Sequence, residues 1–74
     1  MYACDECGAS GLAPAVCADH ARPFVWSEDP LVGTDVGRFR VVRVLGKGGM
    51  GSVYLGVQQA VGARVAIKVI AEQY

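Results

Sequence analysis

Gly46-Lys-Gly-Gly-Met-Gly-Ser-Val53 is the stretch on which the reading of this 74-residue chain turns. Glycines at 46, 48 and 51 follow the G-x-G-x-x-G spacing, and a backbone without Cβ atoms can bend sharply and approach a phosphate closely. The flanks narrow its use. A P-loop requires Lys-Ser or Lys-Thr directly after the last glycine, whereas Gly51 is followed by Ser52 and Val53. A dinucleotide-binding turn opens a helix, yet Ser52-Val-Tyr-Leu-Gly-Val57 alternates Val53, Leu55 and Val57 and reads as a strand. Phe39-Arg-Val-Val-Arg-Val-Leu45, ahead of the glycines, also reads as a strand. Its alternation sets Phe39, Val41 and Arg43 on one face and Arg40, Val42 and Val44 on the other, with cover expected on both sides. The glycines therefore turn a β-hairpin whose tip can fold over phosphates.

A turn over 58–63 leads to Arg64-Val-Ala-Ile-Lys-Val-Ile70, a third strand carrying the quartet Val65-Ala66-Ile67-Lys68. V-A-I-K behind G-x-G-x-x-G-x-V resembles the N-terminal lobe of a protein kinase. The wording Gly-Gly-Met-Gly-Ser-Val-Tyr is similar to that of bacterial serine/threonine kinases of the eukaryotic type. The resemblance runs over 36–74, with 35–38 similar to the lead-in before the first kinase strand.

That resemblance implies an α+β fold of which this stretch holds the first three antiparallel strands of the lobe. It also implies ATP as the nucleotide and a protein substrate. Lys68 is the implied catalytic residue, reaching the α- and β-phosphates. Leu45, Gly46, Lys47, Gly48, Gly49, Met50, Gly51, Ser52, Val53 and Ala66 join it around the nucleotide. Period two puts Ala66 and Lys68 on one face and Val65, Ile67 and Val69 on the other. The small methyl of Ala66 leaves room for a flat base, with Leu45 and Val53 covering it from the opposite side. At Lys47 and Ser52 the side chains are expected to face water while the backbone amides cradle phosphate.

Other parts of a kinase site lie outside the stretch. The Mg2+ ligands, the catalytic-loop aspartate and asparagine and the helix glutamate that pairs with the strand lysine are not in it. Glu72 is too near Lys68 in sequence for that last role. The expectation is the ATP-binding part of a longer serine/threonine kinase. The alternative is a non-catalytic zinc-binding adaptor or pseudokinase fragment.

The N-terminal part carries a second constellation, Cys4-Asp-Glu-Cys7 and Cys17-Ala-Asp-His20, which takes in all three cysteines and the single histidine. Two pairs of this spacing can close a tetrahedron of three thiolates and one imidazole around Zn2+, with Gly8 supplying the tight turn after Cys7. The competing reading is ordinary thiols and a surface histidine. Four protein donors leave no open position for water, so a zinc ion here would be structural rather than catalytic. The boundaries expected are a zinc-binding module over 1–21, similar to a small zinc ribbon or knuckle, a Pro-punctuated linker over 22–35, and the start of the kinase domain over 36–74. Phe24 and Trp26 are expected to pack locally.

Composition bounds the rest. Formal net charge is zero, which gives no electrostatic footprint for nucleic acid. No apolar run reaches the ~20 residues of a membrane span and no secretory signal is evident. Three cysteines cannot all pair among themselves, and a reducing cytoplasm is the default compartment. A chain this short sits near the lower limit for one self-sufficient core, where a metal staple is common. The zinc module is a candidate for docking a protein partner.

Overall fold

A computed structural model describes residues 1–70 of the chain. Seven strands form two antiparallel sheets: β1 (Tyr2–Ala3), β2 (Ser10–Gly11) and β3 (Val25–Trp26) in the order β2-β1-β3, then β4 (Asp35–Val36), β5 (Phe39–Gly48), β6 (Gly51–Gln58) and β7 (Ala63–Ile70) in chain order. The larger sheet is a meander, the arrangement expected when β-branched runs are separated by short glycine-containing turns. Its β5, β6 and β7 are the three expected strands, with the two-residue β4 added at the edge. β5 and β6 run into the glycine stretch as far as the Gly48 and Gly51 pair, so only Gly49 and Met50 form the turn.

Simple alternation along β5 does not hold. Register shifts fall between Val41 and Arg43 and between Val44 and Gly46, so Val41 lies opposite Gly56 while Arg43 lies opposite Leu55. Gly56 and Leu55 are neighbours and face opposite ways, which puts Val41 and Arg43 on different faces rather than the same one. The irregularity brings Val41 and Val44, which strict alternation would part, onto one face, opposite Gly56 and Tyr54. Val41 packs with Ala3, Val32 and Tyr54, flanked by Leu31, Val44 and Ile67, while Val42 packs with Leu55 and Val57. Both valines are fully buried, so the expected cover on both sides is present.

The first cluster joins the two sheets, since Ala3 comes from β1 and Tyr54 from β6. Polar contacts follow the same seam. Gln59 Nε2 donates to the Cys7 carbonyl at 3.3 Å, and Arg64 pairs with Glu6. Gly8, at φ 75°, lies so close to β5 that a Cβ there would sit 2.5 Å from Arg40 Cγ and 3.3 Å from the Val41 carbonyl oxygen. Glycine at this position therefore satisfies both a left-handed turn and a close approach.

Within 22–35, the stretch expected as a linker, the chain is knitted into both sheets. Val25 and Trp26 pair with Ala3 and Tyr2, and the Trp26 ring stands edge-on to Tyr2 at 5.1 Å. Gly33 N–H donates to the Val41 carbonyl and Val41 N–H to the Thr34 carbonyl, both at 2.8 Å, extending the β4–β5 pairing backwards. Val32 is buried between them. Glu72 lies outside the described residues.

Candidate metal centre and glycine hairpin

Two turns of the same design bring the cysteines and histidine together. In the first, Gly8 N–H donates to the Cys4 carbonyl at 2.9 Å and Cys4 N–H donates to the Ala9 carbonyl at 2.8 Å. In the second, Ala21 N–H donates to the Cys17 carbonyl and Cys17 N–H to the Arg22 carbonyl, both at 2.8 Å. The equivalent fourth positions, Gly8 and Ala21, both have positive φ, at 75° and 52°. Ala21 is the one non-glycine residue in that region among the described residues. The Glu6 amide also points at Cys4 Sγ, 3.4 Å away, as the amides of a knuckle do. A bidentate pair from Arg22 to Asp5, at 2.9 and 3.1 Å, ties one turn to the other.

One donor atom from each of Cys4, Cys7, Cys17 and His20 lies within 4.8 Å of the other three. A tetrahedral ion with Zn–S of about 2.3 Å and Zn–N of about 2.0–2.1 Å demands S···S edges of about 3.8 Å and S···N edges of about 3.6 Å. The chain supplies Cys7 Sγ to Cys17 Sγ at 3.7 Å, Cys17 Sγ to His20 Nδ1 at 3.6 Å and Cys4 Sγ to His20 Nδ1 at 3.9 Å. The group thus has the size and donor chemistry of a closed four-ligand site. Crowding also separates the thiols electrostatically. His20 beside Cys17 pulls its thiol down to about 6. Burial, reinforced by the neighbouring Cys17 and Cys4 sulfurs, pushes Cys7 up to about 11. A cation among them would reverse the second effect by favouring every thiolate.

In the larger sheet, register decides which side chains share a face. Val53 lies opposite Lys68 and Leu55 opposite Ala66, so Val53, Leu55, Ala66 and Lys68 line one face of β6 and β7. Tyr54 and Ile67 face the other way. Ala66 and Lys68 are exposed, and among the described residues the Lys68 ammonium has neither an ion-pair nor a hydrogen-bond partner. At the hairpin tip Leu45 and Met50 are 46% and 74% exposed. Ser52 lies opposite Lys47 across the hairpin.

Lys47 departs from the expectation for its position. Although 58% of its side chain is exposed, its Nζ lies 2.9 Å from Asp29 Oδ2 rather than standing free in water. Asp29 itself is buried, and sequence reasoning passed it over. Its Oδ1 accepts the Leu31 N–H at 2.9 Å and its Oδ2 accepts the Tyr54 hydroxyl at 2.8 Å. Burial would raise the Asp29 carboxyl, but the Leu31 amide, Lys47 and Tyr54 outweigh it and hold the group below its ordinary value. The same contact raises Lys47, and burial with the Asp29 charge raises Tyr54. The only sequence signal was an acid in a stretch with no periodicity.

Comparison with known proteins adds a lineage. The chain is 53% identical over 62 residues to serine/threonine-protein kinase Pkn1 of Myxococcus xanthus, a match covering 84% of this chain and 8% of that kinase. It is 68% identical over 34 residues to serine/threonine-protein kinase Pkn2 of the same organism, 46% of this chain and 4% of that kinase. No family model and no solved structure matches. The chain therefore spans less than a tenth of the length of these curated relatives. The chain is thus a homologue of a short part of these Myxococcus xanthus serine/threonine-protein kinases.

Proposed function

We propose that this chain contributes the ATP-binding hairpin and phosphate-contacting lysine of a serine/threonine protein kinase, held against a structural zinc module. The observation that carries the reading is the β6–β7 register, which sets Lys68 opposite Val53 and Ala66 opposite Leu55 on one face. The Lys68 ammonium, unpaired among the described residues, is available to a phosphate, and the methyl of Ala66 gives a flat base space beside it. The hairpin glycines support the same reading. A Cβ at Gly46, Gly48 or Gly49 would meet open space, so neighbouring atoms of the chain do not demand glycine there. Backbone amides able to approach a phosphate closely give those glycines a purpose.

In this reading the chain neutralises and positions the phosphates while residues elsewhere in a longer protein hold Mg2+ and the accepting hydroxyl. Cys4, Cys7, Cys17 and His20 hold Zn2+ with all four positions filled, so the metal braces the fold and activates no water. The test is Lys68→Met in the full-length gene product. Phosphoryl transfer to protein should fall to background while circular dichroism and thermal unfolding stay as in wild type, because a point charge is lost and strand packing kept. Wild-type turnover in that variant would refute the role given to Lys68.

A further inference from the structure

Asp29 is the buried charged residue among those described, and its carboxylate is saturated by three donors that come from three different places. Leu31 N–H belongs to its own turn, Tyr54 to β6, and Lys47 to the glycine end of β5. Lys47 pairs across the hairpin with Ser52, and Val44 with Tyr54. Ser52 and Tyr54 share a face of β6, so Lys47 and Tyr54 lie on one side of the hairpin, the side turned away from Val53 and Lys68. One carboxylate thus grips both hairpin strands from behind the face on which Lys68 stands.

The carboxylate is itself anchored. Asp29 N–H donates to Ser27 Oγ at 3.2 Å, and Ser27 N–H donates to the Met1 carbonyl at 2.9 Å, next to β1. Val32 N–H returns to the Asp29 carbonyl, and Val32 is buried in the cluster shared by the two sheets. At Gly46, Gly48 and Gly49 no side chain restricts the backbone of the tip, and a Cβ there would meet nothing within 4 Å. A fixed anion drawing in the lysine between its first two glycines removes part of that freedom before any ligand arrives.

We infer that Asp29 is a positioning residue for the glycine hairpin, acting through Lys47 to preorganise the backbone amides that meet the nucleotide phosphates. The inference rests on the nucleotide-binding reading above. It assigns Lys47 a contact with Asp29 rather than with the nucleotide.

The experiment titrates the full-length gene product with a fluorescent ATP analogue in Mg2+ and follows KM for ATP and kcat in autophosphorylation. Asp29→Asn and Lys47→Gln should each weaken analogue binding and raise KM by about five- to tenfold, the scale of one net hydrogen bond at a largely exposed contact, with kcat little changed. Lys47→Arg should restore most of the affinity, and the Asp29→Asn, Lys47→Gln double variant should be no worse than either single. If Asp29→Asn fails to fold, Lys47→Gln at the exposed end of the contact carries the test alone. Wild-type binding with unchanged values in Lys47→Gln would overturn the positioning role while leaving the nucleotide site standing. So would equal losses in Lys47→Gln and Lys47→Arg, or additive losses in the double variant. Absence of analogue binding and phosphoryl transfer in the wild type would remove the nucleotide reading and this inference with it.

Discussion

The two Cys/His turns differ at one equivalent position, and that difference yields a pair of substitutions with opposite signs. Ala21 carries φ 52°, where an L-residue is strained by about 1–2 kcal/mol. Ala21→Gly relieves that strain but gives the unfolded chain extra freedom costing about 0.5–1 kcal/mol. A net gain of about 0.5–1 kcal/mol is expected. Gly8→Ala makes the reverse exchange at φ 75° and adds a contact term. Its Cβ would fall 2.5 Å from Arg40 Cγ, 3.3 Å from Arg40 Cδ and 3.3 Å from the Val41 carbonyl oxygen. Arg40 can swing aside, giving up an exposed pair with Asp35 worth at most about 1 kcal/mol, but the Val41 carbonyl belongs to β5 and cannot. The net loss is about 1–2 kcal/mol. At about 4–8 °C per kcal/mol for a chain of this size, thermal unfolding of the zinc-loaded variants should separate by roughly 10 °C, with wild type between them. Calorimetry or circular dichroism reads this directly. Shifts of the same sign, or a Gly8→Ala protein as stable as wild type, would refute the equivalence of the two turns.

Zinc should bind at about one ion per chain, and elemental analysis well below that in zinc-replete protein would remove the site. Its affinity should fall as pH is lowered, because bound thiols must shed protons, and Cys7, pushed up to about 11, has the farthest to come. For Asp29, held below its ordinary 3.8, the contribution to stability is complete above that value and fades as pH falls through it toward the lower folded value. The urea midpoints of wild type and Asp29→Asn should therefore differ at neutral pH and converge as pH falls below 3.8. Gly48→Ala, in open space at the end of β5, should stabilise the fold by about 0.5–1 kcal/mol while weakening the ATP analogue. Unchanged or tighter binding would separate that glycine from the phosphates.

What could be read from the sequence was local. The glycine spacing, the alternating valines of β6 and the quartet ending at Lys68 each sit within a few residues, and together they placed the hairpin and the third strand. The two Cys/His pairs were equally compact. Non-local features were hidden. The shifts in β5 depend on pairing with β6, and without them Val41 and Val44 would face opposite ways instead of joining one cluster. The 22–35 stretch has no periodicity because its residues serve separate partners: Trp26 meets Tyr2, Val32 joins Val41, and Asp29 holds Lys47 and Tyr54.

The glycines show where sequence reasoning meets its limit and how geometry moves past it. Gly8, Gly33 and Gly56 each have an internal reason, since a Cβ would strike Arg40, Ser10 or Ile67 at 2.5–3.0 Å. A Cβ at Gly46, Gly48 or Gly49 would meet no such neighbour. Strands lose stability at glycine, so contacts among the described residues do not account for glycine at these three positions near the hairpin tip. Asp29 adds the complementary half of the argument. Burying a carboxylate is costly unless it is paired, and this one is spent on the lysine between those same glycines. In the nucleotide-binding reading proposed above, Asp29 holds the tip from one face and the phosphates meet it on the other, where Lys68 stands.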